Sequence, residues 1–173
     1  YYNPFVETAP SAPLGLGMNG CIPVKDIDQI YAQATCLLPV LRKKVQDWAV
    51  PSHGMLATHD KSFVCWREVA SRLQERAKVR WCSVKNETRA IEKVVRCYGE
   101  DVSRLVDVCR ESLVFGTVGE LCDCFQLLSA DPEVEVVRVK NRMSPEHQPG
   151  WSGGLRHVTV NLRLRDEDSR RFG

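Results

Sequence analysis

The chain has 173 residues, of which 43% are apolar, and 24 basic residues balance 22 acidic ones to a net charge of +2. This length and composition suit one domain with a single buried core. The even mixture of charges disfavours a dedicated nucleic-acid-binding protein, which concentrates basic residues on one face. No apolar run reaches the roughly 18 residues that a membrane-spanning helix needs.

The eight cysteines lie mostly in segments with helical periodicity, where a free thiol behaves as a small apolar side chain. Cys122 and Cys124 are too close together for a zinc knuckle, and no partner pair lies elsewhere in the chain. We therefore expect no structural metal. A chain with this cysteine usage is typical of a reducing intracellular compartment.

Residues 1–24 contain four prolines and three glycines, which predicts an extended arm outside the core. The arm is rich in apolar residues for such a segment. Two interpretations remain open: the arm lies along its own domain, or it docks on a partner protein. Residues 25–173 are then expected to form one α+β domain.

Apolar residues recur every three or four positions across residues 25–49, which predicts a helix that Pro39 kinks or divides. Its basic trio is either a solvated face or a patch for a partner; the trio is Arg42, Lys43 and Lys44. A loop is expected at 51–60, followed by a second helix capped by Ser62 with Leu73 on its buried side.

The rest of the chain alternates helical and extended patterns. We expect a helix at 86–98 stopped by Gly99, a short helix at 100–109, a buried strand at 112–115, a helix at 117–129, strands at 134–143 and 155–165 joined by a flexible loop, a turn at 165–169 and a strand from 170. This order predicts an α+β fold with a mixed, largely antiparallel sheet flanked by helices and an N-terminal helical layer.

The first candidate site is a row of basic residues at the start of the third helix. Lys85, Arg89 and Lys93 are four residues apart, so they follow one drifting line on the helix surface. A polyphosphate anion would relieve the repulsion within this row, and helix-start amides would help to bind it. The alternative is an exposed face whose charge Glu87 and Glu92 soften.

A second basic group lies further along the chain. Arg138, Lys140 and Arg142 occupy alternate positions of a predicted strand and therefore share one face, and Arg156 follows the glycine-containing loop. These four are phosphate-binding candidates, or else part of a solvated sheet face.

Asp107 precedes the predicted buried strand and is a candidate Mg²⁺ ligand, because hard cations prefer carboxylate oxygens. A structural role at a helix end is the alternative. The sequence contains no Walker-type phosphate loop, no GxSxG and no HExxH motif.

These segments occur in an order that resembles the RelA/SpoT nucleotidyltransferase domain of alarmone synthetases. The similarity covers residues 83–164, about half the chain, and runs through Ser83-Val-Lys85, Ile91-Glu-Lys93, LVDVCRESLVFGTVGELCDCFQLL, VRVKNRM and GGLRHVTVNLRL. The resemblance implies a mixed sheet flanked by helices. It also implies binding of ATP and GDP or GTP, with Mg²⁺ assisting pyrophosphate transfer to the ribose 3′ hydroxyl.

Several positions match the family motif. Lys85 and Lys93 resemble its two phosphate-binding lysines, with Ser83 and Arg89 in the places of its serine and arginine. Asp107 resembles the metal-binding aspartate of the family. The resemblance therefore implies that the catalytic role of Asp107 is to bind the metal.

Other positions depart from the motif or match it only in part. Ser112 replaces an arginine for which Arg110 is a nearby substitute, Lys140-Asn141 stands for Lys-Asp, Leu155 replaces the base-stacking tyrosine before Arg156, and Thr159 replaces a histidine. The family's catalytic glutamate falls beyond Gly173.

These substitutions favour a catalytically degenerate domain that serves as an interaction or structural subunit of a larger protein assembly. The alternatives are an active Mg²⁺-dependent (p)ppGpp synthetase, with Mg²⁺ and ATP/GTP as cofactors, and a nucleotide sensor without turnover. Organisms with plastids commonly keep alarmone synthetases in those plastids. The resemblance therefore favours a chloroplast or another organelle as the expected location.

Overall fold

The structure is a computed structural model that describes Val24 and residues 26–165. Its α-helices are α1 (Ile27–Ala49), α2 (Trp66–Val69), α3 (Leu73–Arg76), α4 (Glu87–Tyr98) and α5 (Val118–Ala130). Its strands are β1 (Met55–Ala57), β2 (Phe63–Cys65), β3 (Val134–Asn141) and β4 (Val158–Leu164). The arm expected up to residue 24 and the turn and strand expected after residue 165 lie outside the described residues, apart from Val24.

The described strands form two antiparallel pairs, β1 with β2 and β3 with β4. The predicted α+β class is confirmed. The expected single sheet is not seen within the described residues, because each pair is a separate two-stranded sheet. The register of β3 and β4 shifts between Val136 and Arg138, which marks an irregularity such as a β-bulge.

Helix α1 connects two hydrophobic clusters, where the composition had suggested a single core. Its first half contributes Ala34 to a cluster with Ala90 and Val94 of α4. Its second half contributes Val45 and Trp48 to a larger cluster that includes residues of α5 and both sheets. Cys109 packs against both clusters, so they meet near the middle of the fold.

Pro39 does not divide α1, because the helix continues through this residue, and the alternative of a kink stays a prediction. Proline removes one backbone hydrogen bond from the helix interior. The residues that follow Pro39 stay helical because Leu41, Val45 and Trp48 are buried against the larger cluster. Tertiary packing therefore outweighs the local cost of proline.

The segment after α1 differs most from its prediction. The loop expected at 51–60 contains β1, and the helix expected from Ser62 is instead β2 followed by the short helices α2 and α3. Leu73, expected to be buried, is 79% exposed. Pairing of 63–65 with 55–57 accounts for the change, since strand pairing overrides weak helical periodicity.

Helix α4 begins and ends as the sequence predicted. The Asn86 side chain accepts a hydrogen bond from Arg89 N at 3.2 Å, and Gly99 adopts the left-handed conformation that ends the helix. The helical pattern predicts that four apolar residues are buried, namely Ala90, Ile91, Val94 and Val95. Ala90 and Val94 are buried, but Ile91 and Val95 are exposed.

The segments between α4 and α5 are less regular than predicted. The short helix expected at 100–109 is reduced to a 3₁₀ turn at Val102–Arg104. The strand expected at 112–115 is reduced to one bridge, in which Val114 pairs with Met55. Helix α5 is confirmed and begins with a capping box formed by Thr117 and Glu120. The helical pattern of this segment predicts Val118 on the inward face, but Val118 is exposed.

Gly54 permits a close approach between the end of α1 and the segment at Leu113. A Cβ atom on Gly54 would lie 3.1 Å from the Ala49 Cα and Cβ atoms and 3.2 Å from the Leu113 Cδ2 atom. We expect Gly54→Ala to lower the free energy of unfolding by about 1–3 kcal/mol, as overpacking does. Chemical denaturation would measure this.

Gly150→Ala is the matched control for Gly54→Ala. A Cβ atom on Gly150 would meet nothing within 4 Å. The same chemical change should therefore leave the denaturation midpoint nearly unchanged at residue 150. Equal effects of the two substitutions would contradict the packing argument for Gly54.

Candidate functional site

The structure brings together three of the residues singled out from the sequence. The Lys85 and Lys93 ammonium groups both donate to the Asp107 Oδ2 atom at 2.8 Å. The loop before α4 supplies Lys85, and α4 itself supplies Lys93. We call these three residues the Asp107 triad. Arg89, expected in the same basic row, is exposed on α4.

Lys85 is positioned by its backbone as well as by its ion pair. Its amide donates to the Val108 carbonyl at 2.9 Å, and its carbonyl accepts from the Tyr31 hydroxyl at 2.7 Å. These contacts tie the loop before α4 to α1 and to the residue beside Asp107. The triad is therefore built on the smaller hydrophobic cluster, which contains Val108.

The pKa values of Asp107 and Lys93 follow from this arrangement. Burial by itself would raise the pKa of Asp107, but the hydrogen bonds from Lys85 and Lys93 lower it below the ordinary value. Burial by itself would lower the pKa of Lys93, but its hydrogen bond to Asp107 raises it. Both groups are therefore charged at neutral pH, and the triad carries a net charge of +1.

The second Asp107 oxygen has a different environment. Oδ1 is buried and accepts no hydrogen bond from the described residues. It is therefore an acceptor for a water molecule, a ligand hydroxyl or a cation. The neighbouring ammonium groups oppose a bare divalent cation, and the described residues include no group of three or more metal-ligating side chains. The assignment of Asp107 to Mg²⁺ stays a prediction.

The second basic group lies on the β3–β4 hairpin. Arg138 and Lys140 stand opposite Asn161 and Thr159, and the Arg142 amide donates to the His157 carbonyl just beyond the strand. The three cations therefore share one face of the hairpin. The other face, which includes Val136 and Leu162, packs against the larger cluster.

Arg156 lies apart from this row, in the loop that joins the two strands. Its Nη1 atom donates to the Ser144 carbonyl at 3.4 Å, and the residue is exposed. The ion pairs of Lys85 and Lys93 go to Asp107, whose neighbour Val108 belongs to the smaller cluster, whereas the hairpin packs on the larger one. The two candidate groups therefore sit on different parts of the fold.

A histidine closes the loop between β3 and β4. The Arg142 Nη1 atom lies 2.9 Å from the His157 Nε2 atom and donates to the Thr159 hydroxyl at 3.2 Å. This geometry requires a neutral His157 ring whose Nε2 accepts from the guanidinium. Burial, Arg142 and His147 all lower the pKa of His157 below its ordinary value of 6.5.

Acidification should open this loop. Because the pKa of His157 is lower in the closed loop than in an open one, the contact is favourable above about pH 6.5 and is lost as the pH falls further. We expect the Arg142 amide to lose hydrogen-exchange protection between about pH 7 and pH 5.5, after correction for intrinsic exchange.

His157→Gln should abolish this extra pH dependence, since the glutamine side chain stays neutral between about pH 5.5 and pH 7. His59→Gln, a change at an exposed histidine near the β1–β2 turn, should leave the dependence as in the unaltered protein. Equal protection of the Arg142 amide at both pH values would contradict the prediction.

Sequence reasoning missed the polar contacts that anchor α1. Arg42 Nε lies 3.1 Å from the Glu111 Oε1 atom, and Lys44 Nζ lies 2.9 Å from the Asp131 Oδ2 atom. Trp48 Nε1 donates to the same Asp131 oxygen at 3.1 Å. Two members of the basic trio therefore bind within the molecule. No local signal joins these partners, which lie 69 and 87 residues apart.

The cysteines within the described residues are free thiols. Cys65 and Cys109, expected in helices, lie in β2 and in an irregular segment. Burial raises the pKa of Cys109 to about 11, so this thiol stays protonated at neutral pH. None of the described helices is both long and apolar enough to cross a membrane.

The chain matches no protein-family model, no curated protein and no solved structure.

Proposed function

We propose that the chain is a catalytically degenerate RelA/SpoT-like domain that acts as an interaction or structural subunit of a larger protein assembly. The observation that carries this proposal is the Asp107 triad. In the family that the sequence resembles, the corresponding lysines bind phosphate and the aspartate binds metal. Here both lysines donate to the aspartate, so the groups that would hold phosphate and metal are engaged with one another.

The substituted motif positions support the same proposal. Leu155 offers apolar contact but no flat π face for a guanine base, and it is 65% exposed. Thr159, in the place of a histidine, accepts a hydrogen bond from Arg142. The loss of a group that stabilises a transition state commonly lowers the rate about a hundredfold or more.

We place the protein in a reducing intracellular compartment, with a chloroplast or another organelle favoured. The resemblance to alarmone synthetases supports the organelle. The partners that we propose are proteins, and residues 1–24 are a candidate docking segment.

The second candidate function is nucleotide binding, with or without turnover. It is favoured by the buried Asp107 Oδ1 acceptor and by the three cations on one hairpin face. If turnover survives, the reaction is pyrophosphate transfer from ATP to GDP or GTP. Asp107 would then hold Mg²⁺, and the basic residues would hold the phosphates.

Incubation of the full-length protein with ATP, GDP and Mg²⁺, followed by product analysis and calorimetry, tests the proposal. We expect no pyrophosphorylated nucleotide and no saturable binding at about millimolar nucleotide. A pyrophosphorylated product would overturn the degenerate assignment and establish the enzyme. Saturable binding without product would replace the proposal with the nucleotide sensor.

A further inference from the structure

The small sheet formed by β1 and β2 has an apolar side that faces away from the core. Met55 pairs with Cys65 on one side and with Val114 on the other, and Ala57 pairs with Phe63. Directly paired residues point to the same side of a sheet, and so do alternate residues of one strand. Met55, Ala57, Phe63, Cys65 and Val114 therefore form one surface, which we call the outer face.

The opposite side of the same strands is packed. Leu56 is 3% exposed, and Val64, Leu113 and Phe115 pack against the larger cluster. The five outer-face residues belong to neither cluster of the described residues, and Phe63 is 54% exposed. Strands with one buried face normally carry polar residues on the other. An apolar outer face is thus a departure that points to a binding surface.

A positively charged segment runs through β2 and reaches the edge of the outer face at Arg80. The Arg80 amide donates to the Ala57 carbonyl at 2.8 Å, which places Arg80 beside the sheet. Residues 60–80 contain six basic residues and three acidic ones, which gives this segment a net charge of +3. All six basic residues are exposed. Within this segment Lys78 pairs with Glu75, whereas Arg80 puts a positive charge at the edge of the apolar centre; we call this edge the basic rim.

We propose that the outer face docks an acidic segment of a partner protein, with apolar side chains of the partner on Phe63 and Val114 and its carboxylates at the basic rim. This inference rests on the proposed role as an interaction subunit and supplies the contact surface. An apolar centre with a charged rim is the usual anatomy of a protein–protein interface. A surface of only five side chains suits a weak or transient complex.

The charge distribution also selects among occupants. Nucleic acid is bound mainly by cations that contact phosphates, whereas the centre of this surface is apolar. A second copy of the chain would bring two positive rims together, which opposes association. An acidic protein segment satisfies both the centre and the rim.

A phage-displayed library of random 16-residue peptides, selected on the full-length protein, tests the proposal. We expect enriched peptides to combine apolar and acidic residues. Their affinity should fall at least tenfold in Phe63→Asp or Val114→Asp and severalfold in Arg80→Glu. Val95→Asp, at an exposed valine on α4, is the matched control and should leave binding unchanged. Circular dichroism would show that each variant is folded.

Other results would overturn the proposal. The first two are that no peptide is enriched, and that the enriched peptides bind Phe63→Asp and Val114→Asp as tightly as the unaltered protein. The other two are self-association that Phe63→Asp abolishes, and binding of a single-stranded oligonucleotide that is tighter than that of the peptides and that Phe63→Asp weakens. A nucleotide product in the activity assay would overturn the proposed function but would leave a positive peptide result in place. The two failures are therefore distinguishable.

Discussion

Replacing Arg42 with alanine is expected to lower the free energy of unfolding by about 3 kcal/mol, because it leaves a buried carboxylate without its cation. The Glu111 side chain is 3% exposed, and its Oε1 atom lies 3.1 Å from Arg42 Nε. The Arg42 guanidinium also donates to the Cys82 carbonyl at 2.6 Å. Without Arg42, the Cys82 amide at 3.2 Å remains as a hydrogen-bond donor to Glu111.

Lys43→Ala is the matched control, since Lys43 is the exposed neighbour of Arg42 on α1. We expect it to change the free energy of unfolding by no more than about 0.5 kcal/mol. Urea denaturation monitored by tryptophan fluorescence would measure all of these variants. An Arg42→Ala variant as stable as Lys43→Ala would show that the Glu111 carboxylate does not depend on its partner.

A double-mutant cycle with Glu111→Gln separates the ion pair from the packing of Arg42. Once the carboxylate is gone, loss of the guanidinium leaves no buried charge unpaired. The double variant should therefore be more stable than the sum of the single losses implies, by about 1 kcal/mol or more. Additive losses would assign the effect of Arg42→Ala to its other contacts, which are the Cys82 carbonyl and the Trp81 ring, whose centroid lies 5.8 Å from the guanidinium.

Asp107→Asn is expected to raise the affinity of the chain for tripolyphosphate about tenfold, which corresponds to about 1.4 kcal/mol. In the unaltered protein, the Asp107 carboxylate neutralises part of the charge on Lys85 and Lys93. The asparagine has nearly the same shape without the charge, so the triad changes from +1 to +2. Calorimetry without Mg²⁺ at two salt concentrations would measure the change, and a repeat with Mg²⁺ would show whether the metal enhances binding.

Asp123→Asn removes the same charge from an exposed position on α5 and is the control. It should alter the affinity for tripolyphosphate by much less than tenfold. A fall in affinity in Asp107→Asn, together with an Mg²⁺ enhancement that only the unaltered protein shows, would contradict the prediction. That pattern would identify Asp107 as a metal ligand and favour the enzyme.

Local signals determined the parts of the fold that depend on neighbouring residues. Helix α4 lies between Asn86 and Gly99 because these residues satisfy backbone groups at its two ends. The Asn86 side chain accepts from a first-turn amide, and the left-handed Gly99 donates its own amide to a carbonyl near the helix end. Such contacts form whatever the helix packs against. Apolar alternation likewise placed β3 and β4 and put Arg138 and Lys140 on one face. The sequence therefore predicted most of the regular elements of the second half of the chain.

The segment after α1 was decided by strand pairing that local periodicity does not predict. Met55 pairs with Val114, and β2 replaced an expected helix because its residues 63–65 found partners at 55–57. Helical periodicity in a short segment is a weak preference that such pairing overrides. The exposed Leu73 follows from the same change.

The sequence by itself determined that Lys85, Lys93 and Asp107 are notable, but only the tertiary structure decided what they contact. The helical periodicity of α4 separates Lys93 from the core face of the helix. It contains no information about the Asp107 carboxylate, which lies 14 residues after Lys93 and 22 residues after Lys85. The buried partner of Arg42 is separated from it by 69 residues. Helix ends and strand alternation depend on residues a few positions apart, whereas ion pairs and exposed faces depend on how those elements pack.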